Sequence, residues 1–406
     1  MNLQPRGYEK IVQLIDRGVT IPNPLSLDIG DDVDVSRISG DGVTLWPGCR
    51  IHGAKTVISA GCRLGAEGPV TVADCRLGPK VELKGGSFTQ SVFLEGASMG
   101  LGAQIREGCL LEEEANGAHC VGLKQTILFP FVTLGSLINF CDCLMAGGTS
   151  RKNHSEVGSS YIHFNYTPDG DKTTASLFGD VPRGVMLDQP PIFLGGQGGA
   201  VGPVILGYGT VVAAGSVLLG DVLEDGKLVA AVPPPGFKRD HHPYTYKNLI
   251  RVVRNNVIYL ANLIALEHWY RQVREPFFAR QEMGDLVYAG ALEMLSLAKE
   301  ERMKRLMAMA AKIPVSAPAA QEFSVHADRI CALFEGDPEL PHGAEFIGSF
   351  QPAAAAATTG NYLETVQGMT PELRAMGIHW LQQIVDALCE KADERLKSMN
   401  LFDRRP

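Results

Sequence analysis

Residues 151–172 read RKNHSEVGSSYIHFNYTPDGDK and hold two histidines, two tyrosines, two lysines, two asparagines and an arginine. Such groups bind polar ligands and move protons. Histidine's ordinary pKa, about 6.5, suits a general base working near neutrality. His154 stands between Asn153 and Glu156, either of which can orient its ring if a corner or loop relaxes the alternation of a strand. His163, in YIHFNY, alternates with apolar and aromatic neighbours, so it serves either a site or a packed wall. Asn165 and Lys172 flank Pro168-Asp169-Gly170, a turn sequence.

The 406-residue chain is 45% hydrophobic and 20% charged, with a formal net charge of −8. That balance is ordinary for a globular protein and gives no basic surface for a nucleic-acid backbone. An anionic small substrate remains compatible with it, because a few local arginines or lysines act against the global sign. The first residues, MNLQPRGYEKIVQLIDRG, are polar, and no uncharged apolar run has the length of a membrane span. The nine cysteines are irregularly spaced, which reads as reduced thiols in a cytoplasmic protein.

From residue 21 to 235 the chain repeats a short unit. Leu45, Ile51 and Val57 are six apart, as are Leu206, Val212 and Leu218. An aliphatic residue is often followed by glycine, as at Leu64-Gly65, Leu134-Gly135 and Leu206-Gly207. A period of six fits no helix and predicts a β-solenoid. In such a coil each hexapeptide supplies one short strand and one corner, and three make a triangular turn. At roughly 18 residues per coil the segment holds around ten coils. The aliphatic residue points into the prism, and stacking closes the core.

Residues 1–20 read as a lead-in with a short helix. After Val232-Pro233-Pro234-Pro235-Gly236 the composition turns helical, over 236–315 and again over 316–406. Thr370 is an N-cap candidate with Pro371 at the first helical position. QPAAAAATTG (351–360) reads as a mobile loop. The expected fold is therefore mainly β, a parallel β-helix followed by a helical extension, whose expected role is to cover a solenoid end or support oligomer contacts.

Five stretches look familiar in detail: RGVTIPNPLSLDIG (17–30), AQIREGCLLEEEANGAHCVGLK (103–124), KNHSEVG (152–158), FNYTPDGDKTTASLFGD (164–180) and VVAAGSVL (211–218). On them the chain resembles the left-handed β-helix acyltransferases, and among these the acetyltransferase domain of bacterial N-acetylglucosamine-1-phosphate uridylyltransferase/glucosamine-1-phosphate acetyltransferase. The resemblance covers about half of the chain. It implies a left-handed coil, a homotrimer with the site between subunits, and acetyl-CoA as co-substrate. It also implies His154 as general base on a sugar amine, with Arg106 and Lys124 on the sugar phosphate. Asn165, Tyr166, Lys172 and His163 would bind substrate, and Ala213, Ala214 and Gly215 the acyl carrier.

Some features depart from the family's pattern. The chain enters the β-helix almost at once, so no uridylyl transfer is expected. Val157 replaces the tyrosine that follows the family's histidine by three residues. Extra residues separate Lys124 from His154, and the helical extension has no counterpart.

The expected activity is transfer of an acetyl group to the amine of an amino-sugar phosphate or nucleotide sugar. The alternative is a non-catalytic β-helix, either a scaffold or a sugar-nucleotide binder. A zinc enzyme on the same fold needs three gathered histidines. His119, His154 and His163 are spaced 35 and 9 apart, unlike the closely spaced pair of the zinc-dependent β-helix enzymes.

Overall fold

A computed structural model describes residues 4–167, 173–232, 235–244, 246, 248–315, 317–336, 340–356 and 361–402. After a short helix, α1 (Tyr8–Asp16), the chain winds into a parallel β-solenoid of about 11 turns. Each turn has three flat faces. Face one is a ten-stranded ladder from Thr44–Leu45 to Leu228–Val229. Faces two and three join into one 16-stranded sheet, because Val121–Leu128 and Ile138–Met145 run continuously round the edge between them. In the turn that opens with Asn116–Gly117 on face one, Val121–Lys124 lies on face two and Thr126–Leu128 on face three.

The six-residue pattern is the inward row. On face one it runs Leu45, Leu64, Leu83, Met99, Gly117, Leu134, Val157 and Leu194. Every described aliphatic member of that row is at most 1% exposed. The glycine after the inward residue is needed for stacking. A Cβ on Gly158 would lie 2.4 Å from the Gly196 nitrogen, and one on Gly195 2.3 Å from the Ala214 nitrogen. Left-handed backbone falls at other corner positions, including Glu114, Gln125 and Asp142.

Face three is apolar on both sides. Its inward row includes Leu77, Phe93, Leu111, Leu128, Met145 and Phe178, and its outward row Arg76, Val92, Leu110, Ile127, Leu144 and Leu177. The outward apolar members are 0–2% exposed because helices cover them. A four-residue helix, α2 (Val181–Gly184), leaves the solenoid itself. Beyond it come α3 (Leu249–Trp269), a π-helical turn (Tyr270–Arg274), α4 (Glu275–Phe278) and α5 (Gly284–Ala310). They are followed by α6 (Pro318–Cys331), α7 (Ala344–Ala356), α8 (Tyr362–Gln367) and α9 (Pro371–Arg395).

The helical region therefore packs on the flank of the prism as well as on itself, rather than over one end. Helix α5 lies along the solenoid axis. Glu293 pairs with Lys55 at 2.6 Å and with Arg76 at 2.7 Å. Arg302 pairs with Asp142 at 2.5 Å, and the Thr173 hydroxyl donates to Met309 Sδ at 3.6 Å. From Glu293 to Met309 the helix rises about 24 Å. Five coil steps, from Arg76 to Leu177, also cover about 24 Å at the spacing of neighbouring strands.

One sequence expectation changes here. Residues 351–356 belong to α7 rather than to a loop, as an alanine run favours; residues 357–360 lie outside the described residues. The stretch Leu249–Phe278 has the length and apolar content of a membrane span, but 67% of its most apolar window is buried inside the protein. Thr370 caps α9, its hydroxyl accepting from the Leu373 N–H at 3.2 Å. None of the nine cysteines is disulfide-bonded.

Candidate functional site

His154 sits on a β-hairpin that leaves the edge between faces three and one. Gly148–Ser150 pairs antiparallel with Asn153–His154. The hairpin is held at its base, tip and side. At the base, the buried Ser155 hydroxyl donates to the Ala146 carbonyl at 2.8 Å and accepts from the Ile192 N–H at 2.9 Å. At the tip, Arg151 folds back over the preceding turns. One of its nitrogens donates to the Glu114 carbonyl at 3.2 Å, to the Phe131 carbonyl at 2.9 Å and to the Thr133 hydroxyl at 2.9 Å. The Asn116 side-chain oxygen accepts from the same guanidinium. From the side, Gln367 of α8 donates to the Thr149 carbonyl at 2.7 Å.

The consequence for His154 is a fixed tautomer. Its Nδ1 lies 2.8 Å from the Arg151 carbonyl oxygen. A carbonyl only accepts, so Nδ1 carries the proton and Nε2 of the neutral ring keeps its lone pair. The ring is half-buried. Neither Asn153 nor Glu156 orients it, since the Asn153 amide donates to the Thr149 hydroxyl and Glu156 belongs to face one.

The hairpin requires glycine at 148. Its φ is +100°, and a Cβ there would lie 2.6 Å from His154 Cα and 2.7 Å from the Asn153 oxygen. We expect Gly148→Val to open the hairpin and leave the solenoid folded. Trypsin should then cut at Arg151 or Lys152 at least tenfold faster, with an unchanged far-ultraviolet spectrum. An unaltered cleavage rate would show that the hairpin tolerates a side chain there.

The other expected site residues occupy different places on the prism. Arg106 and Lys124 lie one above the other at the edge between faces two and three. Lys124 pairs with Glu107 at 2.5 Å, and Arg106 donates to Cys141 Sγ at 3.9 Å. Asn165 and Tyr166 leave face two at the same edge and are exposed. Lys172 lies outside the described residues. Ala213, Ala214 and Gly215 form the corner between faces one and two. The three groups thus occupy three different edges, and within one chain they form no common pocket. A helix-covered face separates His154 from Lys124.

His163 is a core residue and not a surface ligand. Its register with Ala200 puts it in the inward row of face two, in the turn after Phe140. It is 5% exposed, its Nε2 lies 2.7 Å from the Ser176 hydroxyl, and its ring meets Phe140 and Phe178 edge-on. Burial pushes its pKa down to about 4, so it is neutral at physiological pH. With His163 inside and His119 and His154 on different edges, the three histidines of a zinc reading are not gathered. Among the described residues no cluster of three or more His, Cys, Asp or Glu is placed to hold a metal ion.

A polar cluster at the solenoid–helix junction was not foreseen. Arg274, from the π-helical turn, is 1% exposed and faces Glu112 and Glu113. Tyr270 donates to Glu112 at 2.5 Å. The EEE run at 112–114 was legible as charge, but its partner lies some 160 residues away.

Over its hexapeptide-repeat solenoid the chain is related in sequence to bifunctional GlmU proteins. That of Trichlorobacter lovleyi is 30% identical over 223 residues, covering 55% of this chain and 43% of the relative. That of Thermotoga maritima is 26% identical over 213 residues, covering 52% and 42%. The chain thus spans less than half the length of these curated relatives.

No family model matches the chain. Among solved structures, the UDP-N-acetylglucosamine acyltransferase from Campylobacter jejuni is 13% identical, covering 50% of this chain and 67% of that one, with a TM-score of 0.17. LpxA from Acinetobacter baumannii is 12% identical, covering 68% and 95%, with a TM-score of 0.16. At those TM-scores neither carries weight for this chain.

Proposed function

We propose that the protein is an acyltransferase that moves an acetyl group from acetyl-CoA to the amine of an amino-sugar phosphate or nucleotide sugar. The observation that carries this reading is His154, whose Nδ1 proton is committed to the Arg151 carbonyl. The lone pair on Nε2 then takes the proton from an amine as it attacks the thioester carbon. The C–S bond breaks, and the thiolate of CoA leaves and is protonated. A glycine-rich solenoid offers backbone N–H groups suited to the thioester oxygen as it gains charge. The sequence kinship with bifunctional GlmU proteins supports the same reading.

The split of the remaining residues over three edges favours a site completed by a second chain. Face three is occupied by the protein's own helices, so faces one and two are left for neighbours in the homotrimer we propose. Arg106, Lys124, Asn165 and Tyr166 on one edge and Ala213–Gly215 on another would then be supplied to His154 by adjacent protomers. The setting we propose is cytoplasmic.

The test is thermal unfolding of the full chain with and without acetyl-CoA, followed by a transfer assay with glucosamine-1-phosphate. Acetyl-CoA at about 100 times its dissociation constant should stabilise the protein by about 2.7 kcal/mol. No shift at millimolar acetyl-CoA, together with no transfer, would leave a scaffold or a sugar-nucleotide binder as the reading.

A further inference from the structure

The hairpin that carries His154 is a two-stranded ribbon leaving the solenoid, and such a ribbon is marginal on its own. Where its ring sits therefore depends on what holds the ribbon from outside. The Gly148 N–H donates to the Gln189 carbonyl at 3.0 Å, which ties that strand to the loop after α2. At Thr149 the hold comes from the helical region.

Gln367, the last residue of α8, is half-buried and aims its side-chain amide at two carbonyl oxygens. One is that of Thr149 at 2.7 Å, the other that of Leu187 at 3.3 Å. Carbonyls only accept, so the amide nitrogen faces them, and its two N–H groups match the two acceptors. Arg374 of α9 fixes Gln367 in turn. It donates to the Gln367 and Met369 carbonyls at 3.1 and 3.4 Å, where the end of α8 leaves carbonyls without a helical partner, and it pairs with Asp188 at 3.0 Å. The other end of α8 is sunk in the buried ionic cluster. The Tyr362 hydroxyl accepts from Trp269 Nε1 at 2.9 Å, and its ring lies 4.0 Å from the Arg274 guanidinium. A six-residue helix thus reaches from the solenoid–helix junction to the hairpin.

Thr149 passes this hold on to His154. Its hydroxyl accepts from the Asn153 amide at 2.9 Å, and its neighbour Gly148 is in register with His154. The Arg151 carbonyl that keeps the Nδ1 proton belongs to the turn between the two strands. A hydrogen bond weakens steeply as its angle and distance depart from ideal. A ribbon free to swing would lose that bond, and the proton of the neutral ring would then distribute over both nitrogens.

We propose that Gln367, backed by Arg374, is a positioning residue for His154, so that the helical region sets the tautomer of the candidate base. Gln367 acts through the hairpin backbone and not on the reacting atoms. A misplacement of about 1 Å by a residue away from the chemistry costs up to about 10² in rate, so one amide is enough to matter. The proposal rests on the transferase reading for its effect on rate. The tautomer itself does not depend on catalysis.

Nitrogen-15 NMR of the histidine rings in the full chain tests it at pH 8, with His154→Ala to assign the signals. In the wild type His154 should show Nδ1 protonated and Nε2 bare. Gln367→Met keeps the length of the side chain and removes its donors. It should bring the Nε2–H tautomer to at least a third of the population and speed trypsin cleavage after Arg151 or Lys152 at least threefold. It should also lower kcat for acetyl transfer about tenfold, with KM for acetyl-CoA within twofold. Gln367→Lys still offers N–H donors to both carbonyls and should restore the tautomer and most of the rate. Arg374→Met should give a smaller change in the same direction. An unchanged Nδ1–H tautomer in Gln367→Met would overturn the proposal, whatever happens to stability or rate, and leave Gln367 a structural contact. Equal losses in Gln367→Met and Gln367→Lys would do the same. A shifted tautomer in a protein with no acetyl transfer, or with an unchanged kcat, would sink the reading of His154 as base and leave the positioning role standing.

Discussion

Replacing His154 with alanine should lower the acetyl-transfer rate by about 10²–10⁴, the usual worth of a positioned general base. The expectation rests on where the proton sits. With Nδ1–H donated to the Arg151 carbonyl, the ring presents a lone pair at Nε2 and needs no rearrangement before the amine attacks. The substitution should not unfold the coil, because Ser155 and the backbone ladder at Glu156–Val157 hold that turn. The variant should keep the wild-type thermal shift with acetyl-CoA while losing turnover. A fall of less than tenfold would remove His154 from the base role, whatever the protein's activity.

The second large effect concerns Arg274, which we expect to be the most sensitive single position for stability. It lies between the rings of Tyr362, at 4.0 Å, and Tyr270, at 4.7 Å, and serves both Glu112 and Glu113. Removing one partner of a buried ionic cluster leaves uncompensated charge, at a cost of about 3–5 kcal/mol. Arg274→Met, which keeps much of the side-chain volume, should lose about that much in urea unfolding at pH 8.

The loss should depend on pH. Burial pushes the Glu112 carboxyl from 4.5 up to about 7, with Arg274 opposing and Glu113 adding to the shift. A folded pKa raised in this way contributes stability that is fully present below about 4.5 and lost as pH rises through about 7. Without the guanidinium the carboxyls have still more reason to stay protonated, so the variant should recover part of its stability at pH 5. Adding Glu112→Gln should reduce the cost of Arg274→Met and flatten its pH dependence. A cost below 1 kcal/mol, equal at both pH values, would mean that the cluster does not hold the helices to the solenoid.

Much of the fold was legible because the solenoid's core is written in one dimension. Leu206, Val212 and Leu218 occupy successive faces, so a spacing of six maps directly onto inward positions; at Leu45 and Ile51 the next inward residue is Ile58, one beyond the Val57 that the spacing picks out. The helical cover was also written, in the doublets Val92-Phe93, Leu110-Leu111, Ile127-Leu128, Leu144-Met145 and Leu177-Phe178. Each pairs an inward residue with an outward apolar one on the same face, which a solvated face would not tolerate. Reading one inward aliphatic residue per hexapeptide hid that signal, and the helices were expected to cover an end or support oligomer contacts.

The site was less legible. The long connection at 146–155 and the loop after Phe164 break the period, so linear spacing no longer says which edge a residue reaches. His154 could be recognised by type and neighbours, but the carbonyl that fixes its tautomer could not. His163 has the alternation of an inward residue, and its register between Phe140 and Ala200 settles it as one. The pairing of Glu112 and Glu113 with Arg274 depends on how two separate regions dock, which no local pattern encodes.

The long helix laid against face three changes what kind of object the solenoid is mechanically. A stack of repeats held only by neighbouring turns behaves as a linear array, in which either end can fray without consulting the other. Helix α5 joins turns that are five steps apart, from Lys55 and Arg76 at one end to Asp142 and Thr173 at the other. It acts as a splint. Loosening a turn under it also costs helix contacts several turns away, so the middle of the stack responds as one cooperative block. The hairpin of His154 emerges from the turn that follows Asp142, inside the reach of that splint, so its carbonyl-to-ring geometry is referenced to a rigid frame and not to a fraying coil.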